Sequence, residues 1–286
     1  MRVMVTGAGG MTGSELARQA VALGWECDAY DRSRLDVTDE NKVSEVVRHT
    51  RPDVVLNAAA CTAVDAAESD RDEAMRVNAD GARNLARAAA EAGAAIVHIS
   101  TDYVFDGAGT RPYRPSDDVR PLNAYGESKL GGEIAVRHEA ATHAIVRTSW
   151  IYSHDGRNFL RTVLHAATEG KELRVVDDQQ GSPTAAADLA AALLVASEKL
   201  RSDPSLSGTY HFSNAGTTTW YGFAKEILEV RGGDASSITP IPTDDYPTAA
   251  RRPMYSVLDT SSFTDAFGVK PRRWEQALRE TMARVR

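Results

Sequence analysis

Tyr125 and Lys129 are the residues whose types and spacing point most directly to chemistry. They lie four positions apart in a segment with helical periodicity, so their side chains share one helix face. When hydride reaches a carbonyl carbon, negative charge develops on the oxygen, and a proton donor must meet it. Tyrosine is a weak acid, and we expect the neighbouring ammonium to lower its pKa towards neutrality. The pair therefore predicts Tyr125 as proton donor and Lys129 as its partner.

A second set of polar residues follows the fourth predicted strand, in the segment Ser100–Gly107. The carboxyl ends of parallel strands are where ligands bind in open α/β sheets. Thr101 at this end is predicted to hydrogen-bond a substrate carbonyl and hold its oxygen against Tyr125. The spacing predicts Thr101, Tyr125 and Lys129 as the catalytic residues.

A glycine-rich turn, Thr6–Gly13, lies between the first strand and the first helix. A dinucleotide pyrophosphate needs a tight turn, close backbone approach and a helix packed near the sheet, and each favours glycine. The helix N-terminus adds amide donors and the positive end of a dipole. Gly7, Gly10, Met11 and Gly13 are therefore predicted to bind a dinucleotide cofactor.

Two adjacent residues after the second strand leave the choice of cofactor open. Asp31 is placed to accept hydrogen bonds from ribose hydroxyls, which favours NADH. Arg32 is placed to pair with a 2'-phosphate, which favours NADPH. We expect NADPH or NADH.

The elements that must position these residues alternate through the first half of the chain. Predicted strands are Arg2–Thr6, Glu26–Tyr30, Val54–Leu56, Ala95–Ser100 and Ala144–Thr148. Predicted helices are Thr12–Leu23, Glu40–His49, Asp72–Ala92 and Ala124–His138. This order predicts an α/β fold with a Rossmann-like doubly wound parallel sheet in residues 1–150.

After residue 150 the alternation loosens, and proline, glycine and threonine become frequent. Residues 151–286 are predicted to form a smaller mixed α/β substrate lobe, which is allowed to interleave with the first domain. Predicted helices are Phe159–Thr168, Ala187–Leu200, Tyr221–Glu229 and Trp274–Arg284, with strands at Leu173–Val176 and Thr209–Phe212.

Charge and hydropathy exclude several classes of partner. The chain has 40 acidic and 33 basic residues and a net charge of -7, so we expect no nucleic-acid partner. The first residues form a strand pattern rather than a signal peptide, and the apolar run Ala185–Ala196 is too short to cross a bilayer. We expect a cytoplasmic enzyme with no membrane contact.

These motifs together resemble the extended branch of the short-chain dehydrogenase/reductase superfamily, and within it the dTDP-4-dehydrorhamnose reductase family. The matching segments are Gly7–Gly13, Asn57–Ala60, Ser100–Gly107, Tyr125–Glu133, Arg147–Trp150, Asp178–Thr184 and Arg252–Asp259. The resemblance implies NAD(P)H-dependent reduction of the C4 ketone of dTDP-4-dehydro-L-rhamnose to dTDP-L-rhamnose.

The resemblance also implies further site residues. The additional cofactor contacts are Asp36, Val37, Asn57, Ala58 and Ala59, together with Tyr125 and Lys129. Those lining the sugar pocket are Thr62, Val64, Thr101, Asp102, Tyr103 and Trp150. Arg252 is predicted to bind the substrate diphosphate, because a guanidinium matches phosphate oxygens bidentately.

Alternatives remain open at this stage. The same motifs fit a 4-ketoreductase of another nucleotide-activated deoxysugar, or an epimerase or dehydratase that retains NAD. They also fit a non-catalytic cofactor-binding subunit, such as the regulatory β subunit of methionine adenosyltransferase. The resemblance also implies a homodimer. It further implies a Mg²⁺ ion held by Glu15, Asp188 and Glu280, although such acids usually lie on solvated helix faces.

Overall fold

The computed structural model of the protein describes residues 1–285. In its first half, the strands are β1 (Arg2–Thr6), β2 (Glu26–Tyr30), β3 (Val54–Asn57), β4 (Ala95–Thr101) and β5 (His143–Thr148). The helices are α1 (Met11–Ala22), α2 (Glu40–Thr50), α3 (Val64–Ser69), α4 (Arg71–Met75), α5 (Gly81–Glu91) and α6 (Ala124–Glu139). The five strands agree with the predicted ones within a residue, whereas the short helix α3 was not predicted.

The second half has longer helices and shorter strands. Its strands are β6 (Ile151–Tyr152), β7 (Leu173–Val176), β8 (Gln180–Gly181), β9 (Thr184–Ala185), β10 (Gly208–His211), β11 (Thr218–Thr219) and β12 (Ile238–Ile241). Its α-helices are α7 (Phe159–Thr168), α8 (Ala186–Ser202), α9 (Trp220–Arg231), α10 (Ser261–Phe267) and α11 (Trp274–Met282). Single 3₁₀ turns lie at Asp102–Val104, Pro204–Leu206, Ala235–Ser237 and Thr243–Asp245.

A six-stranded parallel sheet, in the order β10-β5-β4-β3-β1-β2, forms the centre of the first lobe. Alternate residues of each strand enter two different apolar layers, as the period-2 geometry of a strand requires. Val3 and Val5 pack on the side of α1 and α8. Met4 packs on the side of α2 and α5. The predicted doubly wound α/β fold is confirmed.

Strand β10 and helix α8 correct the predicted placement of the second-half elements. The sequence placed both in the smaller lobe, but β10 pairs in parallel with β5 and α8 packs against α1. The connection from β5 through α8 to β10 is thus a further crossover unit of the main sheet. Residues 186–211 therefore belong with the first lobe, and residue 150 does not mark the end of the sheet.

The predicted helix Asp72–Ala92 is interrupted. A π-helical turn, Arg76–Asp80, separates α4 from α5. Two close contacts accompany it: a Cβ at Gly81 would lie 2.6 Å from Val37 Cγ2, and one at Gly132 would lie 2.3 Å from Asn78 O. Such single-turn insertions are frequent at functional sites.

The smaller lobe has its own core. Tyr152, Leu160, Phe223 and Trp274 are buried in one cluster contributed by β6, α7, α9 and α11. Strand β12, which was not predicted, pairs in parallel with β7. Within residues 1–285, no helix is both long enough and apolar enough to cross a membrane.

A buried ion pair holds α6 against the sheet. Glu133 is fully buried, and its carboxylate accepts from Arg147 Nε and Nη2, each at 2.8 Å, and from Ser100 Oγ at 2.6 Å. Burial acts to raise the pKa of Glu133, but the bonds and charge of Arg147 outweigh it and lower that pKa. The carboxylate is therefore ionised and links α6 to both β4 and β5.

We expect Glu133→Gln to lower the free energy of unfolding by about 3–5 kcal/mol, because it leaves the Arg147 charge buried without its counterion. Denaturant titration measures this change. Asp80→Asn is the matched control: it breaks the exposed Arg83–Asp80 pair and should cost less than about 1 kcal/mol. Equal losses of stability in the two variants would contradict the assignment of Glu133 as the buried, ionised counterion of Arg147.

Candidate active site

Helix α6 begins directly beside the turn that follows β4. Asn123 caps its N-terminus, with Oδ1 accepting from Gly126 N at 2.8 Å. A Cβ at Gly126 would lie only 2.2 Å from Tyr103 O, so glycine permits this close approach. The first turn of α6 thus places Tyr125 against the segment Thr101–Tyr103.

Thr101, Tyr103 and Tyr125 come together at the carboxyl end of β4. The rings of Tyr103 and Tyr125 meet edge to face, with centroids 5.7 Å apart. Thr101 is buried, donates to Asp102 Oδ1 at 3.0 Å and accepts from Tyr103 N at 3.2 Å. The arrangement brings a phenol and a hydroxyl to one place at the sheet edge.

The protonation of Tyr125 differs from the expectation. Burial raises the pKa of Tyr125 above its ordinary value, and the hydroxyl of Thr101 acts in the opposite direction. The prediction that Lys129 lowers the pKa of Tyr125 is wrong for this structure. The physical reason is that desolvation of the phenolate dominates. The phenol of Tyr125 is therefore neutral at ordinary pH.

Lys129 lies one turn further along α6, and its side chain reaches β4. Its Nζ donates to Ile99 O at 2.7 Å and lies 3.5 Å from His98 Nε2. Burial lowers the pKa of Lys129 to about 8, while the charge of Glu133 acts to raise it. Lys129 is therefore still protonated at neutral pH, but it holds its proton less tightly than a lysine in water does.

His98 and Asn57 form a polar chain beneath Lys129. Asn57 Oδ1 accepts from Ala59 N at 3.1 Å and from Thr6 Oγ1 at 2.9 Å, so its Nδ2 faces His98 Nδ1 at 3.0 Å. Burial keeps the pKa of His98 well below its ordinary value, and the ring is neutral. Because Nδ1 accepts, the ring proton lies on Nε2, which faces Lys129.

Asp102 is the most unusual acid of this region. It is 2 % exposed, and its Oδ2 has no hydrogen-bond partner among the residues that the structure describes. Burial raises the pKa of Asp102 to about 7, against the opposing influence of the Ser256 and Thr101 hydroxyls. A carboxyl that is partly protonated near neutral pH thus lies next to Thr101.

The glycine turn Gly7–Gly13 forms a backbone cradle, because two of its positions pack so closely on neighbouring backbone that they exclude side chains. Gly7 has φ +69°, and a Cβ there would lie 2.4 Å from Ala58 O. A Cβ at Gly13 would lie 2.1 Å from Gly7 O. Helix α1 begins at Met11 after Gly10, with no acidic residue in its first turn. Backbone donors at a bare helix N-terminus fit a pyrophosphate.

The predicted adenosine contacts lie beyond β2. Asp31 Oδ1 accepts from Ser33 N, Ser33 Oγ and Arg34 N, and so shapes its own turn. Arg32 is exposed and pairs with Glu73 at 3.2 Å. Asp36 forms a similar turn with Thr38, and Val37 is buried. Arg32 is accessible to a 2'-phosphate, and Asp31 Oδ2 is left for hydroxyl groups.

The predicted sugar-pocket residues are spread over both lobes. Thr62 is exposed just before α3, and Val64 begins that helix. Trp150 has φ +48°, stacks on Trp220 at 3.7 Å and covers Gly181. The structure packs this indole into the second lobe, against a partner that was not predicted.

Arg252 is paired with a carboxylate rather than left as an open phosphate site. Its Nη1 and Nη2 donate to Asp65 Oδ1 and Oδ2, each at 2.6 Å. The sequence offered no reason to connect Asp65 with Arg252, because they lie 187 positions apart. The fold thus joins α3 to the segment around Arg252 by a bidentate ion pair that was not predicted.

The three acids considered for Mg²⁺ are each bonded to arginine. Glu15 pairs with Arg18 and Arg284, while Asp188 and Glu280 both pair with Arg272. Within the described chain, no group of three His, Cys, Asp or Glu side chains is arranged to hold a metal ion. These residues, already neutralised by arginine, do not fit a Mg²⁺ site in one chain.

Three buried polar residues near the site were missed. Asn78, in the π-helical turn, bonds both Cys61 N and Cys61 O and also Ser128 Oγ. His98 interrupts an apolar strand, which is a visible signal of a polar role. Glu133 follows Lys129 by one helical turn on the same face.

The doubly wound sheet, the cradle at Gly7–Gly13 and the Tyr125–Lys129 helix define a Rossmann-type enzyme of the extended short-chain dehydrogenase/reductase kind, an NAD(P)H-dependent oxidoreductase. More narrowly, the chain belongs to the RmlD substrate binding domain family, whose model matches residues 1–286.

Similar proteins agree with this assignment. The chain is 44% identical to the spore coat polysaccharide biosynthesis protein SpsK of Bacillus subtilis, over 98% of this chain and 96% of the relative. It is 42% identical to a dTDP-4-dehydrorhamnose reductase of Burkholderia thailandensis, over 97% of each chain. A dTDP-4-dehydrorhamnose reductase of Bacillus anthracis, solved in complex with NADP, has a TM-score of 0.92 and 38% identity, covering 99% of this chain and 98% of that one.

We expect Asp102→Asn to change how stability depends on pH. With a pKa of about 7 in the folded state and 3.8 as its ordinary value, Asp102 binds a proton more tightly when folded. Its contribution to stability is therefore present at low pH and is lost as pH rises from about 4 to about 7. Asparagine does not titrate, so only wild type loses this contribution. The free energy of unfolding of the Asp102→Asn variant minus that of wild type should therefore be larger at pH 8 than at pH 5, by at least about 1.4 kcal/mol, the equivalent of one pKa unit.

Denaturant titrations at the two pH values measure this difference. Asp106→Asn is the control, because the Ala108 amide lowers the pKa of Asp106 and leaves it ionised across this range. A difference in stability between wild type and the Asp102→Asn variant that is the same at both pH values would contradict the assignment.

Proposed function

We propose that the protein reduces the C4 ketone of dTDP-4-dehydro-L-rhamnose to dTDP-L-rhamnose, using NADPH or NADH, with Tyr125 as proton donor. The observation that carries the proposal is the meeting of Thr101, Tyr103 and Tyr125 at the carboxyl end of β4. The reaction named for relatives about 40% identical over the whole chain supports the choice of substrate.

The cofactor fits the residues around the glycine turn. Backbone amides at the start of α1 would hold the pyrophosphate, because Gly7 and Gly13 let the turn pack closely on neighbouring backbone and bring the bare helix N-terminus to the sheet edge. When bound, the nicotinamide supplies the hydride. Lys129 would hold the nicotinamide ribose through its ammonium, which the pKa of about 8 preserves at neutral pH.

The side chains then handle the oxygen of the ketone. Thr101 donates a hydrogen bond to the carbonyl oxygen and holds it close to the phenol of Tyr125. As the carbonyl carbon gains hydride, the oxygen becomes an alkoxide and takes the Tyr125 proton. The phenolate left behind regains a proton from Lys129, which is in turn reprotonated from solvent.

Cofactor choice follows from the residues after β2. The exposed Arg32 is available to a 2'-phosphate once it leaves Glu73, a contact of 3.2 Å near the surface that costs little to break. Asp31 keeps one oxygen outside its turn for the ribose hydroxyls of NADH. We propose that both cofactors support turnover.

An assay of dTDP-4-dehydro-L-rhamnose reduction with NADPH and NADH in separate reactions tests substrate, reaction and cofactor together. Oxidation of the cofactor that depends on the sugar supports the proposal. Cofactor binding without any ketosugar-dependent oxidation would overturn it and favour a regulatory subunit. Faster turnover of a different nucleotide-linked 4-ketosugar would show that this sugar, and not dTDP-4-dehydro-L-rhamnose, is the preferred substrate.

Tyr125→Phe should lower kcat by about 10²–10⁴-fold, the usual contribution of a general acid, and leave the cofactor Kd nearly unchanged. Steady-state kinetics and a cofactor-binding titration measure the two effects. Tyr210→Phe is the matched control: its hydroxyl bonds Leu206 O at 2.7 Å, outside this cluster, so kcat should stay at the wild-type value. Near-normal turnover by the Tyr125→Phe variant would remove Tyr125 from the role of proton donor.

A further inference from the structure

The short helix α3 connects α6 with the second-lobe segment Ala250–Arg252. Asp65 on α3 accepts from Ala250 N at 3.0 Å and from both terminal nitrogens of Arg252. Glu68, one turn later, accepts from Ala124 N at 2.8 Å, at the start of α6. Two acids of one short helix therefore bind the segment that carries Arg252 and the helix that carries Tyr125.

The N-cap of α6 makes a second connection to the same segment. Asn123 Nδ2 donates to Arg251 O at 2.7 Å, while its Oδ1 caps the helix. The loop after β4 approaches it as well, since a Cβ at Gly107 would lie 2.5 Å from Pro253 Cα. The backbone around Arg252 is thus held on several sides at the entrance to the Tyr125 cluster.

The hydrogen bonds of Arg252 show which of its donors remain. A guanidinium has five N–H groups. Nη1 uses its two on Asp65 Oδ1 and Ala250 O, and Nη2 uses one on Asp65 Oδ2. Nε–H and the second Nη2–H have no partner among the described residues, and they lie parallel on one edge. Two parallel donors on one edge are what a pair of phosphate oxygens accepts.

Arg252 also lies near the substrate end of the site. The residue before it, Arg251, accepts through its carbonyl oxygen from Asn123, which caps the helix that carries Tyr125. The Tyr103 ring packs against Tyr125. A phosphate on the free edge of Arg252 would therefore belong to a ligand that also reaches the phenol.

We propose that Asp65 is a positioning residue for a nucleoside diphosphate: it holds Arg252 end-on, so that the Nε–Nη2 edge faces a pair of phosphate oxygens. The inference rests on the proposed function, because it takes the substrate to carry a diphosphate. Asp65 itself touches no substrate in this arrangement and acts through Arg252.

Binding of dTDP to the NADP⁺-saturated protein tests the role without requiring turnover. We expect Asp65→Asn to weaken dTDP about tenfold by calorimetry, because an amide offers one acceptor and turns N–H groups towards Nη2. In steady-state kinetics, KM for the sugar nucleotide should rise by a similar factor, with kcat within about twofold of wild type.

A double-mutant cycle separates positioning from a general structural effect. Arg252→Gln should weaken dTDP binding, and Asp65→Asn should add nothing further in that background. Asp117→Asn is the matched control, because Asp117 holds Arg111 through both oxygens at 2.9 Å on the loop after β4, so dTDP binding should be unchanged.

Three outcomes would overturn the proposal. The first is tighter dTDP binding by the Asp65→Asn variant, which would mean that Asp65 competes with the phosphate. The second is a loss of affinity for NADP⁺ in the Asp65→Asn variant that equals its loss for dTDP and is also seen when Asp65→Asn is added to Arg252→Gln. The third is a wild-type protein that binds no nucleoside diphosphate. If wild type binds dTDP but does not reduce the ketosugar, the proposed function fails while the cycle still decides the role of Asp65.

Discussion

The ion pair between Glu133 and Arg147 is the interaction on which the geometry of the site depends. Glu133 lies on α6 two turns after Tyr125, Arg147 lies on β5, and Ser100 of β4 immediately precedes Thr101. One buried carboxylate therefore sets the position of α6 along both strands. Because a buried charge tolerates little displacement from its counterion, the distance between Thr101 and Tyr125 is maintained by a contact that lies outside the site.

The parts of the structure that could be predicted are those encoded locally. Strands β1, β3, β4 and β5 are short, mostly apolar runs whose alternate residues enter two layers, and this period is visible in the sequence. Gly7 and Gly13 were predictable because a turn that approaches other backbone atoms so closely excludes a side chain. Tyr125 and Lys129 were predictable because helical spacing alone puts them on one face.

The parts that could not be predicted depend on contacts between distant residues. Strand β10 has the same local pattern in either lobe, and only its pairing with β5 assigns it to the main sheet. Arg252 was predicted as a phosphate ligand, but Asp65 looks like an ordinary surface charge until the fold joins it to Arg252. The π-helical turn at Arg76–Asp80 is one extra residue in a helical pattern, and the contacts that accompany it, Asn78 with Ser128 and Gly81 with Val37, join residues far apart in sequence.

Burial changes what the proposed proton transfer requires. It raises the pKa of Tyr125 and lowers that of Lys129 to about 8, so each group is shifted towards its neutral form. A phenol with a raised pKa is a weaker acid, yet the group it must protonate is an alkoxide, which is a stronger base than a phenolate. Transfer from Tyr125 to that oxygen remains downhill. The phenolate left on Tyr125 is for the same reason a strong base and takes a proton back readily. Lys129, one turn further along α6, holds its proton loosely enough to supply it, so the lysine contributes more to reloading Tyr125 than to acidifying it.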